Sequence, residues 1–310
     1  MNRPPFPAPL RGIIPPLATP LKGRDELDVA GLERLIEHVL AGGVHGLFLL
    51  GTTGEGPSLS NRLRRELIDR ACRQVAGRVP VLVGVTDTSF TESVRLTAHA
   101  AEAGANAVVL APPFYFSASQ AELADYVEHI APELALPVLL YHIPSHAKLG
   151  FDPETVARLI HIPNVVGLKD SGGKMIYLHE LRLAVAARPD FTLLVGPEEL
   201  MAEAVLLGAH GGICGGANMV PRLYVDLYAA ASAGDLHRVR ELHDRVMRIS
   251  VAIYNVGGAG SSYMRGLKCA LACLGLCDDT LAEPLQRFGP AERERIRMGL
   301  CEVGLLDPAT

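Results

Sequence analysis

Tryptophan is absent from the 310 residues, and so are the sequence patterns that define several classes of protein. No apolar stretch reaches the ~20 residues that a membrane-spanning helix needs, because Gly, Pro or a charged residue interrupts each one. No block of Lys and Arg is present that could follow nucleic-acid phosphates, and the formal net charge is -5. We therefore expect a partner that is neither a membrane nor a nucleic acid.

The six cysteines form no CxxC pair, which removes the usual spacing of zinc sites and redox motifs. Cys269, Cys273 and Cys277 recur every four residues, so the spacing predicts that they align along one helix face. Metal sites usually draw ligands from a second element, and we therefore expect small buried core residues and no metal. Residues 1–10 are proline-rich without an apolar signal core, which predicts a flexible lead-in and a cytoplasmic protein with reduced thiols.

Short apolar runs alternate with longer amphipathic segments along most of the chain. This alternation predicts a parallel sheet, whose strands are buried on both faces and read as continuous apolar runs. Eight such units indicate an α/β fold, a closed (β/α)8 barrel over residues 11–234, with a C-terminal helical extension over residues 235–310. An open doubly wound sheet is the alternative, but Pro15-Pro16 follows the first run in place of a glycine fingerprint. The runs are 12–14, 46–50, 81–85, 107–110, 137–141, 165–169, 192–195 and 211–213.

The sixth run, Val165 to Lys169, ends in a lysine and has turn residues on both sides. It is short and rich in valine, which is typical of a buried strand. Burying an ammonium group is costly, so a lysine at this place tends to lose its proton. A neutral buried amine is a nucleophile that forms a Schiff base with a ketone. The alternative is a lysine just past the strand end with its ammonium group in water.

Polar and aromatic residues follow the neighbouring runs, at the strand ends where barrels build active sites. Tyr141 ends the fifth run, and adjacent strands lie ~4.8 Å apart, so its hydroxyl and the Lys169 amine can meet over the barrel mouth. The loop Gly51 to Glu55 offers hydroxyl and N–H groups suited to a carboxylate. Tyr115 follows the fourth run and Glu198 the seventh. On the residues alone, either tyrosine can equally be a packing residue, and Glu198 can simply begin a helix.

Together these residues fit imine chemistry on a 2-oxo acid. Carbinolamine formation and C–C bond cleavage both move protons, so a Schiff-base lysine needs a proton shuttle. A tyrosine within hydrogen-bond reach serves this purpose if a neighbouring cation lowers its pKa. A loop rich in hydroxyl groups can hold the substrate carboxylate.

Four motifs give the chain a resemblance to the dihydrodipicolinate synthase / N-acetylneuraminate lyase family, the pyruvate-dependent class I aldolases. They are Gly51-Thr-Thr-Gly-Glu55, Tyr141-His-Ile-Pro144, Gly167-Leu-Lys-Asp-Ser171 and Gly211-Gly-Ile-Cys-Gly-Gly-Ala-Asn218. The resemblance covers nearly the whole chain. It implies a (β/α)8 barrel with a three-helix extension, a small-molecule 2-oxo acid substrate, no metal or organic cofactor, and usually a homotetramer built as a dimer of dimers.

The resemblance implies catalytic roles for residues that match the family motifs. Lys169 would form the imine, and Tyr141 would be the general acid and base that also touches the pyruvyl carboxylate. Thr52 and Tyr115 would complete a proton relay with Tyr141. Thr53, with the backbone around it, would bind the carboxylate.

The same resemblance implies contacts with the rest of the substrate. Ile213 would line the pyruvyl pocket. Ser171, Gly196 and Glu198 would contact the hydroxylated tail of a longer substrate. His142 stands where an asparagine is often found, and it either makes a polar contact with the substrate or has no role.

One departure from the family pattern bears on the substrate. Synthases of the lysine pathway have an arginine just after the Tyr-x-x-Pro motif, whereas this stretch is Ser145-His-Ala-Lys148, with only His146 or Lys148 to substitute. We therefore predict an aldolase or lyase that cleaves or forms a C–C bond between pyruvate and an aldehyde, on a 2-keto-3-deoxy sugar acid. The alternatives are dehydration of such an acid, condensation of pyruvate with aspartate semialdehyde, and a non-catalytic 2-oxo acid sensor.

Overall fold

The computed structural model describes residues 6–258 and 260–307, and eight parallel strands form its centre. Every predicted apolar run forms a strand whose ends lie within one residue of the prediction. The strands are β1 (Gly12–Ile13), β2 (Leu47–Leu49), β3 (Val81–Gly84), β4 (Ala107–Leu110), β5 (Val138–His142), β6 (Val165–Asp170), β7 (Thr192–Val195) and β8 (Gly211–Gly212).

The strands follow chain order around the sheet, from β2 through to β8, and β1 pairs with β8. The ladder continues from β1 back to β2, because the segment after β1 pairs in parallel with β2 through Pro16 and Phe48. Phe48 donates its N–H to Pro15 at 2.9 Å and accepts from Leu17 at 2.8 Å. The predicted (β/α)8 barrel is therefore confirmed, and the open sheet is excluded.

Twelve α-helices are present among the described residues, and most of them surround the barrel. Several begin at a residue whose side chain caps the helix, as where the Ser119 and Glu122 side chains bond each other's backbone N–H groups in a capping box. The helices are α1 (Val29–Ala41), α2 (Asn61–Val75), α3 (Phe90–Ala103), α4 (Gln120–Ile130), α5 (Pro144–Ala147), α6 (Pro153–Leu159), α7 (Met175–Ala184), α8 (Met201–Leu206), α9 (Pro221–Ala233), α10 (Leu236–Tyr254), α11 (Ser262–Cys273) and α12 (Pro290–Glu302).

Two apolar cores lie on opposite faces of the strands. Successive residues of a strand point to opposite faces, so each apolar run supplies both cores. The outer core fills the space between strands and helices, and Leu140 and Leu168 belong to it. The inner core fills the barrel and includes Phe48, Leu139 and Tyr141. This alternation decides which strand-end side chains reach the barrel mouth.

The chain continues past the barrel into packed helices. Helix α9 ends at Gly234, whose φ of 70° suits glycine, and α10 then packs against α9, α11 and α12. A hairpin absent from the sequence prediction, Leu21–Gly23 with Glu26–Leu27, meets this region through a bridge between Leu21 and Thr280. The division at residue 234 remains a prediction. No helix among the described residues is both long and apolar enough to cross a membrane.

The chain before β1 is partly described. Residues 1–5 of the predicted lead-in lie outside the described residues. Leu10 is buried in the inner core, and its N–H donates to Thr192 Oγ1 at 2.9 Å. Position 10 is thus built into the barrel and is not part of a flexible segment.

The cysteine spacing does not produce the predicted single row. Cys269 and Cys273 lie on α11, but the helix ends at Cys273, and Gly275 turns the chain with a φ of 71°. Cys277 therefore lies beyond the helix, where it is buried. All six cysteines lie among the described residues, and none of them is in a disulfide bond.

Candidate active site

Lys169 and Tyr141 meet inside the mouth of the barrel. They occupy paired positions of β6 and β5, so their side chains leave the sheet on the same face. The Lys169 amine lies 4.0 Å from the centre of the Tyr141 ring and 5.0 Å from that of Phe48. Both side chains are buried, with Lys169 3% exposed. The alternative of a solvated lysine is therefore excluded.

The electrostatic surroundings of Tyr141 suit proton transfer. Burial is the largest influence and raises the pKa of Tyr141, but the positive charge of Lys169 lowers it. Hydrogen bonds from Thr52, Lys169 and Ser171 lower it further, and the net pKa lies below the ordinary value for tyrosine. A phenol of lowered pKa beside an amine is suited to exchange a proton with it.

Three of the predicted site residues surround this pair. The Thr52 hydroxyl is 3.4 Å from the Tyr141 hydroxyl, which forms one arm of the predicted relay. Gly196 leaves room for its neighbours, since an ideal Cβ there would lie 2.0 Å from Ser171 Oγ and 3.4 Å from Lys169 Cε. Ser171 and Gly196 therefore lie beside the lysine itself.

Ile213, which follows β8, also faces the barrel interior. It is 2% exposed and belongs to the inner core that contains Tyr141. Its N–H donates to the Val195 carbonyl at 2.8 Å, which continues the ladder from β7. The structure thus places an apolar side chain in the region predicted for the pyruvyl pocket.

Residues of the C-terminal helices hold the loop after β2. The Thr53 hydroxyl is 3.0 Å from the hydroxyl of Tyr263, on α11. Glu55 forms a buried ion pair with Lys268 of the same helix, 2.9 Å between Oε1 and Nζ. Lys268 also donates to the Thr19 carbonyl at 2.6 Å. Helix α11 of the C-terminal extension therefore holds the loop that is predicted to bind a carboxylate.

Glu198 is not placed for a substrate contact. It is 3% exposed, and its Oε2 accepts from the Gly216 N–H at 2.7 Å. The hydroxyls of Tyr224 and Tyr254 donate to Oε1 at 2.6 and 2.8 Å. Burial raises the pKa of Glu198 to about 7 despite these bonds. The carboxyl group is thus a buried structural group, because its neighbours already occupy both oxygens.

His142 lies on the outer face of β5. Strand residues alternate in direction, so His142 points away from the barrel when Tyr141 points into it. Its ring stacks on Tyr177 with 4.1 Å between centres, and its Nδ1 accepts from the Phe151 N–H at 3.1 Å. Of the two possibilities that the sequence left open for His142, the structure favours no contact with substrate.

Tyr115 is also outside the site of this chain. Its side chain is 70% exposed, and its ring contacts that of Phe116, 5.0 Å between centres. The loop after β4 carries it away from the barrel mouth. The relay is therefore assembled in part, with Thr52 and Tyr141 together and Tyr115 apart.

A cavity of about 480 Å³ opens beside Tyr141. Thr52, Tyr141 and His146 line it, together with apolar side chains such as Phe114 and Leu285. Its size suits a small organic molecule. Burial, with a contribution from the Lys169 charge, lowers the pKa of His146. Of the two residues that could substitute for an arginine, only His146 lines this cavity, and Lys148 is exposed.

The sequence prediction missed two residues that support the site. Lys268 stands within the apolar segment Leu267 to Leu271, and a charge on an otherwise buried helix face is a signal for a buried ion pair. Tyr263 carries no comparable signal, because its partner Thr53 is distant in the chain. Among the described residues, no group of three or more His, Cys, Asp or Glu side chains could hold a metal ion.

These features define a (β/α)8 barrel enzyme with a buried lysine–tyrosine pair at the carboxyl ends of its strands. The model of the dihydrodipicolinate synthetase family matches residues 9–300. A 4-hydroxy-tetrahydrodipicolinate synthase of Thermus thermophilus is 37% identical over 298 residues, covering 96% of this chain and 97% of the relative.

Solved structures agree with this match. The dihydrodipicolinate synthase of Bacteroides thetaiotaomicron has 54% sequence identity and a TM-score of 0.92, covering 97% of this chain and 100% of that one. YagE, a prophage protein of E. coli K12 solved in complex with pyruvate, has 29% identity and a TM-score of 0.89, covering 96% and 99%. The chain belongs to the dihydrodipicolinate synthetase family. The predicted resemblance is confirmed, and the protein is a class I lyase or aldolase of this family.

Proposed function

We propose that the protein joins pyruvate to an aldehyde through an imine on Lys169, and that aspartate semialdehyde is the aldehyde. The observation that carries the proposal is the contact between the Lys169 amine and Tyr141, 4.0 Å from amine to ring centre, in a buried position at the barrel mouth. Relatives named as 4-hydroxy-tetrahydrodipicolinate synthase support this direction of the reaction. The pyruvate complex of YagE supports the choice of keto acid.

Tyr141 has a defined part in each proton transfer. Its phenolate first accepts a proton from the Lys169 ammonium, and the neutral amine attacks the C2 carbonyl of pyruvate. The phenol then protonates the alkoxide oxygen formed by this attack, and the phenolate takes up a proton from the bound nitrogen. Tyr141 passes this second proton to the carbinolamine hydroxyl, which leaves as water when the protonated imine forms. The Tyr141 phenolate accepts a proton from C3 and gives the enamine, whose C3 attacks the aldehyde carbon and forms the new C–C bond. The phenol returns this proton to the alkoxide oxygen of the former aldehyde, and addition of water to the imine releases the product and the Lys169 amine. Thr52 links Tyr141 to the opening of the cavity, where protons exchange with solvent.

The surroundings of the pair fit a short aldehyde better than a polyhydroxylated tail. Glu198, predicted to bind such a tail, is committed to Gly216, Tyr224 and Tyr254. The cavity wall carries several apolar side chains. His146 is the cavity residue at the place of the family arginine and is the proposed partner of the semialdehyde carboxylate.

Borohydride trapping tests the proposal directly. Reduction in the presence of pyruvate should add a stable label to one residue, and peptide mass mapping should place it on Lys169. Lys169→Ala should abolish both the label and turnover, while Lys148→Ala, which removes an exposed lysine nearby, should retain both. A label on another residue, or no label, would refute the imine.

A 2-keto-3-deoxy sugar acid remains the second candidate substrate, because His146 does not offer the bidentate fork of an arginine. A coupled reductase assay measures condensation with aspartate semialdehyde. Pyruvate release measures cleavage over a panel of 2-keto-3-deoxy acids, and product analysis detects dehydration. Pyruvate binding without a trapped imine would instead identify a sensor.

The proposed assembly is a homotetramer. The resemblance to the family supports it, and sedimentation analysis would measure it. No cofactor enters the proposed reaction, since the imine on Lys169 acts as the electron sink.

A further inference from the structure

Tyr263 brings a hydroxyl group from the C-terminal helices to the loop that follows β2. It lies in the first turn of α11, with its hydroxyl 3.0 Å from Thr53 Oγ1. Thr53 is 4% exposed, so this contact is shielded from water. Burial raises the pKa of Tyr263, and the phenol therefore keeps its proton near neutral pH.

Gly215 provides the space that this hydroxyl occupies. An ideal Cβ at position 215 would lie 1.7 Å from the Tyr263 hydroxyl oxygen and 2.9 Å from the adjoining ring carbon. Any larger residue there would displace Tyr263 from Thr53. The absence of a side chain at Gly215 thus makes room for the Tyr263 hydroxyl, which comes from α11.

Neighbouring groups hold the Tyr263 ring in place. The ring of Tyr254 packs edge-on against it, with 4.8 Å between centres. Tyr254 is itself fixed, since its hydroxyl donates to Glu198 at 2.8 Å. Tyr254 therefore fixes the position of the Tyr263 ring and, with it, the direction of the Tyr263 hydroxyl.

The hydrogen-bonding capacity of Thr53 gives this contact a chemical consequence. A hydroxyl group has one proton to donate and two acceptor positions. When the Thr53 hydroxyl donates to a carboxylate, its bond with Tyr263 requires Tyr263 to be the donor. A bond donated to Oγ1 polarises the Thr53 hydroxyl and strengthens the bond that it donates in turn.

We infer that Tyr263 is a positioning residue that acts through Thr53, orienting the Thr53 hydroxyl as a donor to the carboxylate of the 2-oxo acid. This inference rests on the proposed function, because it requires a 2-oxo acid bound next to Lys169. It assigns the C-terminal extension a part in substrate binding.

The test measures borohydride inactivation of the full-length protein as a function of pyruvate concentration. Tyr263→Phe keeps the ring and removes the hydroxyl, and the half-saturating pyruvate concentration should rise ~10-fold. The limiting inactivation rate should stay within about twofold, since the lysine is untouched. Tyr228 lies on α9, and its ring packs against that of His45. The matched control variant Tyr228→Phe should therefore behave as the wild type.

A double-mutant cycle separates the specific contact from a general loss of packing. Thr53→Val should raise the half-saturating concentration as Tyr263→Phe does, Thr53→Ser should restore it, and Tyr263→Phe combined with Thr53→Val should be no worse than the poorer single variant. Gly215→Ala should raise it as well, by displacing the hydroxyl. If Tyr263→Phe is poorly folded, the half-saturating pyruvate concentrations of Thr53→Val and Thr53→Ser, measured at equal concentrations of folded protein, decide the test.

The outcomes distinguish this inference from the function on which it rests. A labelled wild type with an unchanged Tyr263→Phe variant, or effects that simply multiply in the double variant, would overturn the role of Tyr263 alone. An unlabelled wild type would overturn the proposed function, and the positioning role with it.

Discussion

Glu55 and Lys268 form an ion pair in the interior of the protein, with 2.9 Å between Oε1 and Nζ and side chains that are 2% and 1% exposed. The pair joins the loop after β2 to α11. Lys268 also donates to the carbonyls of Thr19 and Thr280, and Glu55 accepts from the Ala282 N–H. Four separate segments of the chain thus converge on two charges, next to the loop that carries Thr52 and Thr53.

We expect Lys268→Met to be strongly destabilising, because it leaves the Glu55 carboxylate buried without its partner. Breaking a buried pair in this way typically costs about 3–5 kcal/mol. Urea unfolding measures the loss. The double variant Glu55→Gln/Lys268→Met should recover part of it, and Arg24→Met, in an exposed pair with Glu283, should have little effect. A double variant less stable than Lys268→Met would contradict this account.

We expect Tyr141→Phe to slow turnover by roughly 10²–10⁴-fold, the usual contribution of a general acid and base. The ring still fills the inner core, so thermal unfolding should change little. Rate measurements with matched circular dichroism check both statements. An unchanged rate would show that Tyr141 is not the proton shuttle.

We expect His142→Phe to leave the kinetic constants for pyruvate unchanged while lowering stability. The new ring can still stack on Tyr177, but the buried Phe151 N–H loses its acceptor. An unpaired buried donor costs ~1–3 kcal/mol, which a shift of the urea midpoint would report. A raised KM for pyruvate with unchanged stability would instead show that His142 contacts the substrate.

The buried carboxyl of Glu198 should make stability depend on pH. Its pKa is raised from 4.5 to about 7, so the folded state holds the proton more tightly than the unfolded chain. This contribution is fully present below 4.5 and is lost as pH rises to about 7.

Melting temperatures across this range should therefore fall less steeply with rising pH in Glu198→Gln than in the wild type. The difference in slope between the two proteins is the relevant measurement, because other groups titrate in both. A parallel pair of curves would show that Glu198 keeps an ordinary pKa in the fold.

The strand order and the lysine–tyrosine pair follow from local patterns. Each strand is an uninterrupted apolar run between turn residues, and Lys169 and Tyr141 end consecutive runs, so a parallel barrel places them side by side. The direction of His142 was also accessible, since it follows an inward tyrosine on the same strand. The hairpin at Leu21–Gly23 was not, because its two strands of two or three residues carry no clear alternation.

The position of Tyr115 and the engagement of Glu198 depend on more than strand ends. Both residues follow barrel strands, and a position after a strand predicts proximity to the mouth without fixing the direction of a loop side chain. The loop after β4 turns Tyr115 outward to 70% exposure. The hydroxyls of Tyr224 and Tyr254, which occupy the Glu198 carboxylate, come from α9 and α10.

The amino-acid sequence by itself determined the barrel, the family and the lysine–tyrosine pair, because these depend on periodicity and on the ends of consecutive strands. Only the tertiary structure decided how the loop after β2 is held. The partners Thr53 and Tyr263, like Glu55 and Lys268, lie more than 200 residues apart. No local pattern relates such positions, since their contact exists only once the C-terminal helices have packed against the closed barrel.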